Sequence, residues 1–235
     1  MNLTRRTFLT ATAAVGALGT AGCLGGDGSD PEGTVVEPDG GPPETAITTA
    51  SIPDSPFTYE AMGDDDTPVV TYYANWKCPG CASFSDGLFE EIAAEYVATG
   101  DVLVEHRALA YADGDPLMGA DNPRIARAGL ALWDIEPESF WPYYKLAMLE
   151  QPSPSTEWGT METLLNLAAA AGIEEIDAFE AAIEDEAYDD AVRSTTEDAF
   201  DIGISATPSL VIDGEIFTPL DEAEETRQRL DSLVE

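Results

Sequence analysis

The chain has 235 residues, and its ten lysines and arginines stand against 46 aspartates and glutamates, a formal net charge of −36. So acidic a chain argues against nucleic-acid binding, which needs a basic surface, and against attraction to anionic membrane surfaces. A hydrophobic fraction of 44% is ordinary for a folded protein and excludes wholesale disorder. One histidine and three cysteines argue against a disulfide-dense scaffold and against a zinc site with several histidine ligands.

The acidic residues are spread along the whole chain, which contains only two lysines. At low ionic strength such a surface repels itself, and molar salt removes most of that cost because it shortens the screening length to about 3 Å. This composition resembles that of proteins from salt-loving microbes, including the haloarchaeal type. We therefore expect secondary structure to be lost below about 0.5 M salt. An unchanged circular dichroism spectrum in dilute buffer would contradict this.

Residues 1–22 have the pattern of an export signal. Arg5 and Arg6 precede a mild apolar run that ends in small residues and is too short for a comfortable membrane span. The sequence around the two arginines resembles a twin-arginine signal. The end of the segment, Thr20-Ala21-Gly22-Cys23, resembles a lipoprotein processing site, although Thr20 stands where leucine is usual. Cys23 is thus a candidate lipid anchor, and the alternative is a plain thiol beside an ordinary cleavage site.

Residues 23–50 are rich in glycine, proline, glutamate and threonine and show no periodicity. This composition predicts a disordered tether. We expect one folded domain over residues 51–235, held away from a membrane surface by the tether.

The first half of the predicted domain is a strand, a helix and a second strand. Residues 69–74 are β-branched and aromatic, residues 79–98 carry an apolar stripe at helical spacing, and residues 102–109 are predicted as a second strand. This order predicts a βαβ unit with parallel strands. Residues 123–203 show only helical patterns, which predicts an all-helical insertion over about 112–203.

The pattern returns to β after the insertion. Two apolar runs, 209–212 and 215–218, flank Asp213-Gly214, which is the strongest short signal for a hairpin. An amphipathic helix follows from about Asp221. The predicted fold class is α/β, with the order βαβ, several helices, ββα.

The candidate site is Cys78-Pro79-Gly80-Cys81, where the first strand ends and the helix begins. A helix start stabilises negative charge and lowers the pKa of Cys78, whose thiolate is the attacking species. Cys81, one turn into the helix, can then resolve a mixed disulfide, and Pro79 costs no hydrogen bond in a first turn. A CxxC pair in this setting is typical of a redox motif.

Two other interpretations of the pair remain open. Half of a zinc site would need further ligands, and only His106 and Cys23 are left. A purely structural disulfide would stabilise little, because the loop that it closes is very short. His106 itself, a lone histidine in a predicted strand, is most simply a packed or solvated residue.

The order of elements and the CPGC loop together resemble the thioredoxin fold in its DsbA-like form, in which a helical domain is inserted between the two halves. Ala206-Thr207-Pro208-Ser209 is similar to the loop that holds a cis-proline before the third strand. The resemblance implies that Pro208 is cis and lies against the cysteines, and that Thr207 offers backbone groups to a substrate strand. Trp76, in the lead-in to the motif, is a further candidate for substrate binding.

Two departures from the family pattern affect the expected chemistry. Many relatives carry a buried acid six residues before the first cysteine, and here that residue is Tyr72. The sequence therefore does not identify the group that accepts the proton of Cys81. Strong oxidants of the family have a histidine between the cysteines, where this chain has Pro79-Gly80. The Cys78 thiolate should then be less favoured, and the couple should be milder.

We expect an exported thiol–disulfide oxidoreductase at the outer face of the membrane or outside the cell. Its partners would be cysteine-containing exported proteins and a membrane redox protein that recharges the pair. No metal and no organic cofactor is implied. The alternatives are a reductase for cytochrome or copper-site assembly, and a peptide-binding lipoprotein whose redox chemistry is idle.

Overall fold

The computed structural model describes residues 33–54 and 58–234. The predicted export signal, the first ten residues of the predicted tether and the candidate lipid anchor Cys23 lie outside these ranges. Within them, no helix is both long enough and apolar enough to cross a membrane.

The core of the fold is a five-stranded mixed sheet with the order β1-β3-β2-β6-β7. Its strands are β1 (Ala61–Met62), β2 (Val69–Ala74), β3 (Leu103–Ala108), β6 (Ser209–Ile212) and β7 (Glu215–Phe217). β2 and β3 run parallel, as the predicted βαβ unit requires, and the other pairings are antiparallel. β2 is the central strand of the sheet, and the CPGC motif follows shortly after its end.

The helix expected over residues 79–98 is divided. It forms α1 (Pro79–Ser85), α2 (Leu88–Ile92) and a π-helical turn (Ala93–Val97). The break falls at Gly87, whose φ of −129° and ψ of −109° lie outside the helical region. The apolar stripe nevertheless continues across the break, because Phe84, Phe89 and Ile92 are all buried.

Helices fill the predicted insertion. A short hairpin precedes them, formed by β4 (Tyr111–Ala112) and β5 (Asp115–Pro116). The helices are α3 (Asn122–Ile135), α4 (Phe140–Leu149), α5 (Met161–Ala171), α6 (Ile176–Glu184) and α7 (Asp189–Asp201), with a 3-10 turn (Pro137–Ser139) before α4. The predicted α/β fold with a helical insertion is confirmed, and the β4–β5 hairpin corrects the expectation that the insertion is helical from its first residues.

The predicted hairpin and the final helix are also present. Asp213 and Gly214 both have positive φ, 49° and 79°, as a two-residue hairpin turn between β6 and β7 needs. The last helix, α8 (Ala223–Val234), buries Leu230 against the sheet domain.

The N-terminal boundary of the domain differs from the prediction. Residues 33–50 were expected within a disordered tether, yet they contact the helices. The amide of Thr34 donates to the carbonyl of Glu157 at 2.7 Å, and the amide of Val36 donates to Thr163 Oγ1 on α5 at 3.0 Å. Ile47 is fully buried. A few apolar side chains and backbone hydrogen bonds thus order a stretch whose overall composition resembles that of a spacer.

Candidate active site

The cysteine pair occupies the first turn of α1, directly after β2. Cys78 is the N-cap residue, with extended backbone angles (φ −83°, ψ 118°), and Pro79 is the first helical residue. The amide of Cys78 donates to the carbonyl of Asn75, which closes the turn between strand and helix. Both cysteines are free thiols, so this is the dithiol form.

Cys78 lies at the edge of the site and is only 8% exposed. Its sulfur lies 3.3 Å from the carbonyl oxygen of Thr207. A hydrogen bond from Cys81 lowers the pKa of Cys78 to about 5. The Thr207 side chain and the amides of Gly80 and Cys81 act in the same direction, and partial burial opposes them. At neutral pH Cys78 is therefore a thiolate.

Cys81 has the opposite environment one helical turn away. It is fully buried, and that burial raises the pKa of its thiol well above the usual value. Its hydrogen bond to Cys78 acts in the same direction, while the backbone of Asn75, whose amide lies 3.4 Å from the Cys81 sulfur, acts against it. Cys81 thus remains a thiol that donates to the Cys78 thiolate.

The loop before β6 lies beside the pair, because β6 is the neighbour of β2 in the sheet. The Thr207–Pro208 peptide bond is cis, as the family resemblance implied. A Cβ atom placed on Gly80 would lie 3.3 Å from both Pro208 Cδ and Leu220 Cδ1. The proline ring and Leu220, which is 48% exposed, therefore form the wall beside Cys78. A side chain larger than hydrogen at position 80 would press on this wall.

Two contacts with the helical insertion hold the loop, and sequence reasoning missed both. Lys77 is fully buried and forms an ion pair of 2.5 Å with Asp121. Asp121 also accepts hydrogen bonds from the backbone amides of Trp158 and Gly159. Gln151 donates its side-chain amide to the carbonyl of Trp76 at 2.8 Å. These partners are tens of residues away in sequence and carry no local signal.

Trp76 does not lie where a substrate could contact it, which corrects the expectation of a binding role. Its side chain is 1% exposed and packs edge-on against His106, Phe140, Tyr143 and Tyr144. The residue closes the core behind the loop because its large ring fills the space between β3 and α4.

His106 is a fully buried core residue on β3. Its Nδ1 lies 3.3 Å from a carboxylate oxygen of Glu60, itself 1% exposed. Across residues 33–54 and 58–234, no group of three or more histidine, cysteine or acidic side chains is placed to hold a metal ion.

Tyr72 lies on β2, six residues before Cys78. The side chain is fully buried, and its hydroxyl lies 3.0 Å from that of Tyr144 on α4. Burial and the neighbouring Cys81 both raise the pKa of Tyr72, so the hydroxyl beside the cysteine is neutral.

Comparisons with known proteins agree with this geometry. The family model described as thioredoxin matches residues 58–232. A probable disulfide bond formation protein D from Bacillus anthracis is 26% identical over 164 residues, 69% of this chain and 73% of the relative. Disulfide bond formation protein D from Bacillus subtilis is 25% identical over 172 residues, 72% of this chain and 75% of the relative.

Solved structures show the same architecture. Oxidised BdbD from Bacillus subtilis superposes with a TM-score of 0.68 at 20% identity, covering 86% of this chain and 99% of that one. DsbA from Chlamydia trachomatis gives a TM-score of 0.63 at 22% identity, covering 82% and 98%. With a family model matched over most of its length and a DsbA-like arrangement of sheet and insertion, this chain belongs to the thioredoxin family.

Proposed function

We propose that this protein is an extracytoplasmic thiol–disulfide oxidoreductase that exchanges disulfides with cysteine-containing exported proteins through Cys78 and Cys81. Cys78 attacks, or is attacked, at the edge of the site, and Cys81 forms or releases the internal disulfide. The cis Thr207–Pro208 loop lies where a partner chain would reach Cys78. The names of the relatives, disulfide bond formation proteins, support the same activity.

The observation that carries this proposal is that the pKa values of the two neighbouring thiols are shifted in opposite directions. The pKa of Cys78 is lowered to about 5, while that of Cys81 is raised. A structural disulfide needs no such asymmetry, whereas exchange needs one accessible thiolate and one protected thiol.

The pKa of Cys78 also bears on the direction of exchange. A value of about 5 lies between roughly 3.5 for the strongest oxidant and roughly 7 for thioredoxin. A more stable thiolate favours the dithiol form and makes the couple more oxidising. We therefore place the potential between about −120 and −270 mV, a milder oxidant than the strongest members of the family.

The first test is the equilibrium of the reduced and oxidised pair against glutathione, in high salt, followed by counting free thiols. A potential above about −200 mV indicates a donor of disulfides to exported chains. A value near or below about −270 mV indicates a reductase of the kind used in cytochrome or copper-site assembly. A pair that does not equilibrate would overturn the proposal in favour of a peptide-binding protein.

The location rests on the sequence of the first 23 residues. We propose export through the twin-arginine signal and anchoring at the outer membrane face by a lipid on Cys23, with recharging by a membrane redox protein. Substitution of both Arg5 and Arg6 by lysine should leave the precursor inside the cell. Cys23→Ser should release an exported protein into the medium, and its retention in the membrane fraction would contradict the anchor.

A further inference from the structure

The short segment that leads into Cys78 is held by the sheet and by the helical insertion. Asn75 is fully buried, and its side-chain amide donates to the carbonyl of Leu109, directly after β3, at 2.9 Å. Its side-chain oxygen accepts the backbone amide of Lys77 at 2.7 Å. The insertion supplies the other contacts, through the buried ion pair of Lys77 and through Gln151. Both halves of the fold therefore position the nucleophile.

Gln151 reaches the main chain on both sides of the nucleophile. Its Nε2 donates to the carbonyl of Trp76 at 2.8 Å and lies 3.5 Å from the carbonyl oxygen of Cys78. A side-chain amide nitrogen carries two hydrogens, so one glutamine can serve both carbonyls. The ion pair of Lys77, in contrast, engages a side chain and leaves these carbonyls to Gln151.

The local sequence fixes the position of Gln151. The residue follows α4 after one intervening position and precedes Pro152, and a residue before proline is restricted to extended backbone angles. Its Nε2 also lies 3.9 Å from the sulfur of Met148, which is buried in the last turn of α4. The amide is therefore presented to the redox loop from a well-defined base.

The carbonyls that Gln151 contacts affect where the Cys78 sulfur points. Cys78 is the N-cap residue, and its carbonyl also accepts the amide of Ala82 at 3.2 Å, which begins the helical hydrogen bonding of α1. Holding the carbonyls of residues 76 and 78 limits rotation of the chain around the cysteine. In the position thus maintained, the sulfur lies 3.3 Å from the carbonyl oxygen of Thr207 and beside the first amides of α1.

We propose that Gln151 is a positioning residue for the nucleophile: its side-chain amide holds the carbonyls of Trp76 and Cys78 and so keeps the Cys78 sulfur aligned with Thr207 and with the first amides of α1. This inference rests on the proposed exchange activity, in which Cys78 is the attacking thiolate. The helical insertion then contributes to the reactivity of the nucleophile as well as to the core. Loss of the amide should leave the fold in place and make the thiolate less stable.

The charges around the nucleophile stay constant when Gln151 is replaced by methionine. The titratable groups that face Cys78 are Cys81 on α1 and Tyr144 on α4, and Lys77, the preceding residue, is held in its buried ion pair. Methionine has a similar length and no hydrogen-bond donor. A shift in the titration of Cys78 in Gln151→Met therefore measures a change in geometry and not a new charge.

The test follows the alkylation of Cys78 as a function of pH. The reduced natural protein and Gln151→Met are treated with iodoacetamide in high salt, and mass spectrometry measures the label on Cys78. Asn166→Leu is the matched control, because the side-chain amide of Asn166, on α5 of the same insertion, also donates to a backbone carbonyl, that of Val36, at 3.2 Å. Denaturant unfolding in high salt measures the stability of all three proteins.

The natural protein should be labelled half-maximally near pH 5, since the pKa of Cys78 is lowered to about 5. In Gln151→Met we expect the midpoint to rise by about half a unit to one unit, the size of the contribution of one hydrogen bond. Asn166→Leu should keep the natural midpoint even if its stability falls equally. A Gln151→Met midpoint that equals the control overturns the positioning role and leaves Gln151 a purely structural residue.

The equilibrium with glutathione in high salt provides a second readout. Because a less stable thiolate makes the dithiol form less favoured, the equilibrium constant for oxidation of glutathione should fall by about three- to tenfold in Gln151→Met. An unchanged or increased constant contradicts the inference. If the natural protein does not equilibrate with glutathione at all, the proposed exchange function has failed. The alkylation midpoints, which require no exchange, then still decide the role of Gln151.

Gln151→Glu is the second variant, for the case that Gln151→Met fails to fold. Its side chain has the same size, but above its usual pKa of about 4.3 the carboxylate cannot donate a hydrogen bond. It also places a negative charge beside the two carbonyl oxygens and near the Cys78 thiolate. The alkylation midpoint should therefore rise further than in Gln151→Met, and a natural midpoint in this variant overturns the proposal.

Discussion

Cys78 and Cys81 are the same residue type, three positions apart on one helix, and the structure gives them opposite properties. Cys78 caps the helix at the rim of the site beside Thr207, and its pKa falls to about 5. Cys81 sits one turn inside, against Tyr72, and burial raises its pKa. The helix start alone does not make this difference, because the largest influence on Cys78 is the hydrogen bond from Cys81 itself.

The two thiols are therefore a coupled pair and not two independent sites. Each shifts the other: Cys81 stabilises the Cys78 thiolate, and the Cys78 thiolate holds the proton on Cys81. The following changes should break this asymmetry or sharpen it.

Replacing either cysteine should have the largest effect, and the two replacements should differ in kind. Cys78→Ser should abolish exchange, because no accessible thiolate remains. Cys81→Ser should leave the attack intact and accumulate a mixed disulfide with substrate, since nothing resolves it. Each reduced variant is mixed with a peptide that contains a disulfide, and non-reducing gels distinguish the two; a stable adduct in Cys78→Ser would contradict the assignment.

Removing the charge that anchors the loop before Cys78 should destabilise the fold. Lys77→Met leaves Asp121 buried without its cation, a change that costs about 3–5 kcal/mol for buried pairs. Denaturant unfolding in high salt measures it. Arg193→Met is the control, because the Arg193–Asp189 pair lies near the surface and its loss should hardly move the midpoint.

The pH dependence of alkylation should separate the two thiols. The pKa of Cys78 is lowered, so its thiolate is present above about pH 5 and is lost as the pH falls through that value. Iodoacetamide should thus modify Cys78 half-maximally near pH 5, about 3.5 units below a free cysteine. Mass spectrometry locates the label, and in Cys81→Ala the midpoint should move upward. A midpoint near pH 8 in the natural protein would contradict the assignment.

The Thr207 side chain should have the smallest of these effects. It lowers the pKa of Cys78 and also counteracts the raised pKa of Cys81. Thr207→Val keeps the shape and removes the hydroxyl, so the alkylation midpoint of Cys78 should rise by about one to two units, the value of one hydrogen bond to a charged group. Thr218→Val, in the loop after β7, should leave the midpoint unchanged.

The parts of the fold that the sequence predicted well carry local signals. β-Branched and aromatic residues marked β2, Asp213-Gly214 marked the hairpin, and the three-residue spacing of Cys78 and Cys81 marked the candidate site. The two-residue strand β1 carried too short a pattern to detect. The break at Gly87 was hidden because the apolar stripe runs through it.

The supports of the site could not be predicted because they are formed by residues distant in sequence. Tyr144 lies 72 positions from Tyr72, and Asp121 lies 44 from Lys77. Nothing in the local pattern distinguishes a tyrosine that meets another hydroxyl from one that fills space, as Tyr143 does. Trp76 is the opposite case. Its nearness in sequence to Cys78 suggested contact with substrate, but tertiary packing directs its side chain into the core.

Lys77 and Lys145 are the only lysines of the chain, and both are buried in ion pairs. Reagents that acylate amines, and proteases that cleave only after lysine, will therefore find no accessible target on the folded residues 33–54 and 58–234. Acylation of either lysine therefore shows that the fold has opened around that residue. Acylation of Lys77 would report release of the CPGC loop from the insertion. Acylation of Lys145 would report separation of α4 from the end of α1, and no engineered label is needed.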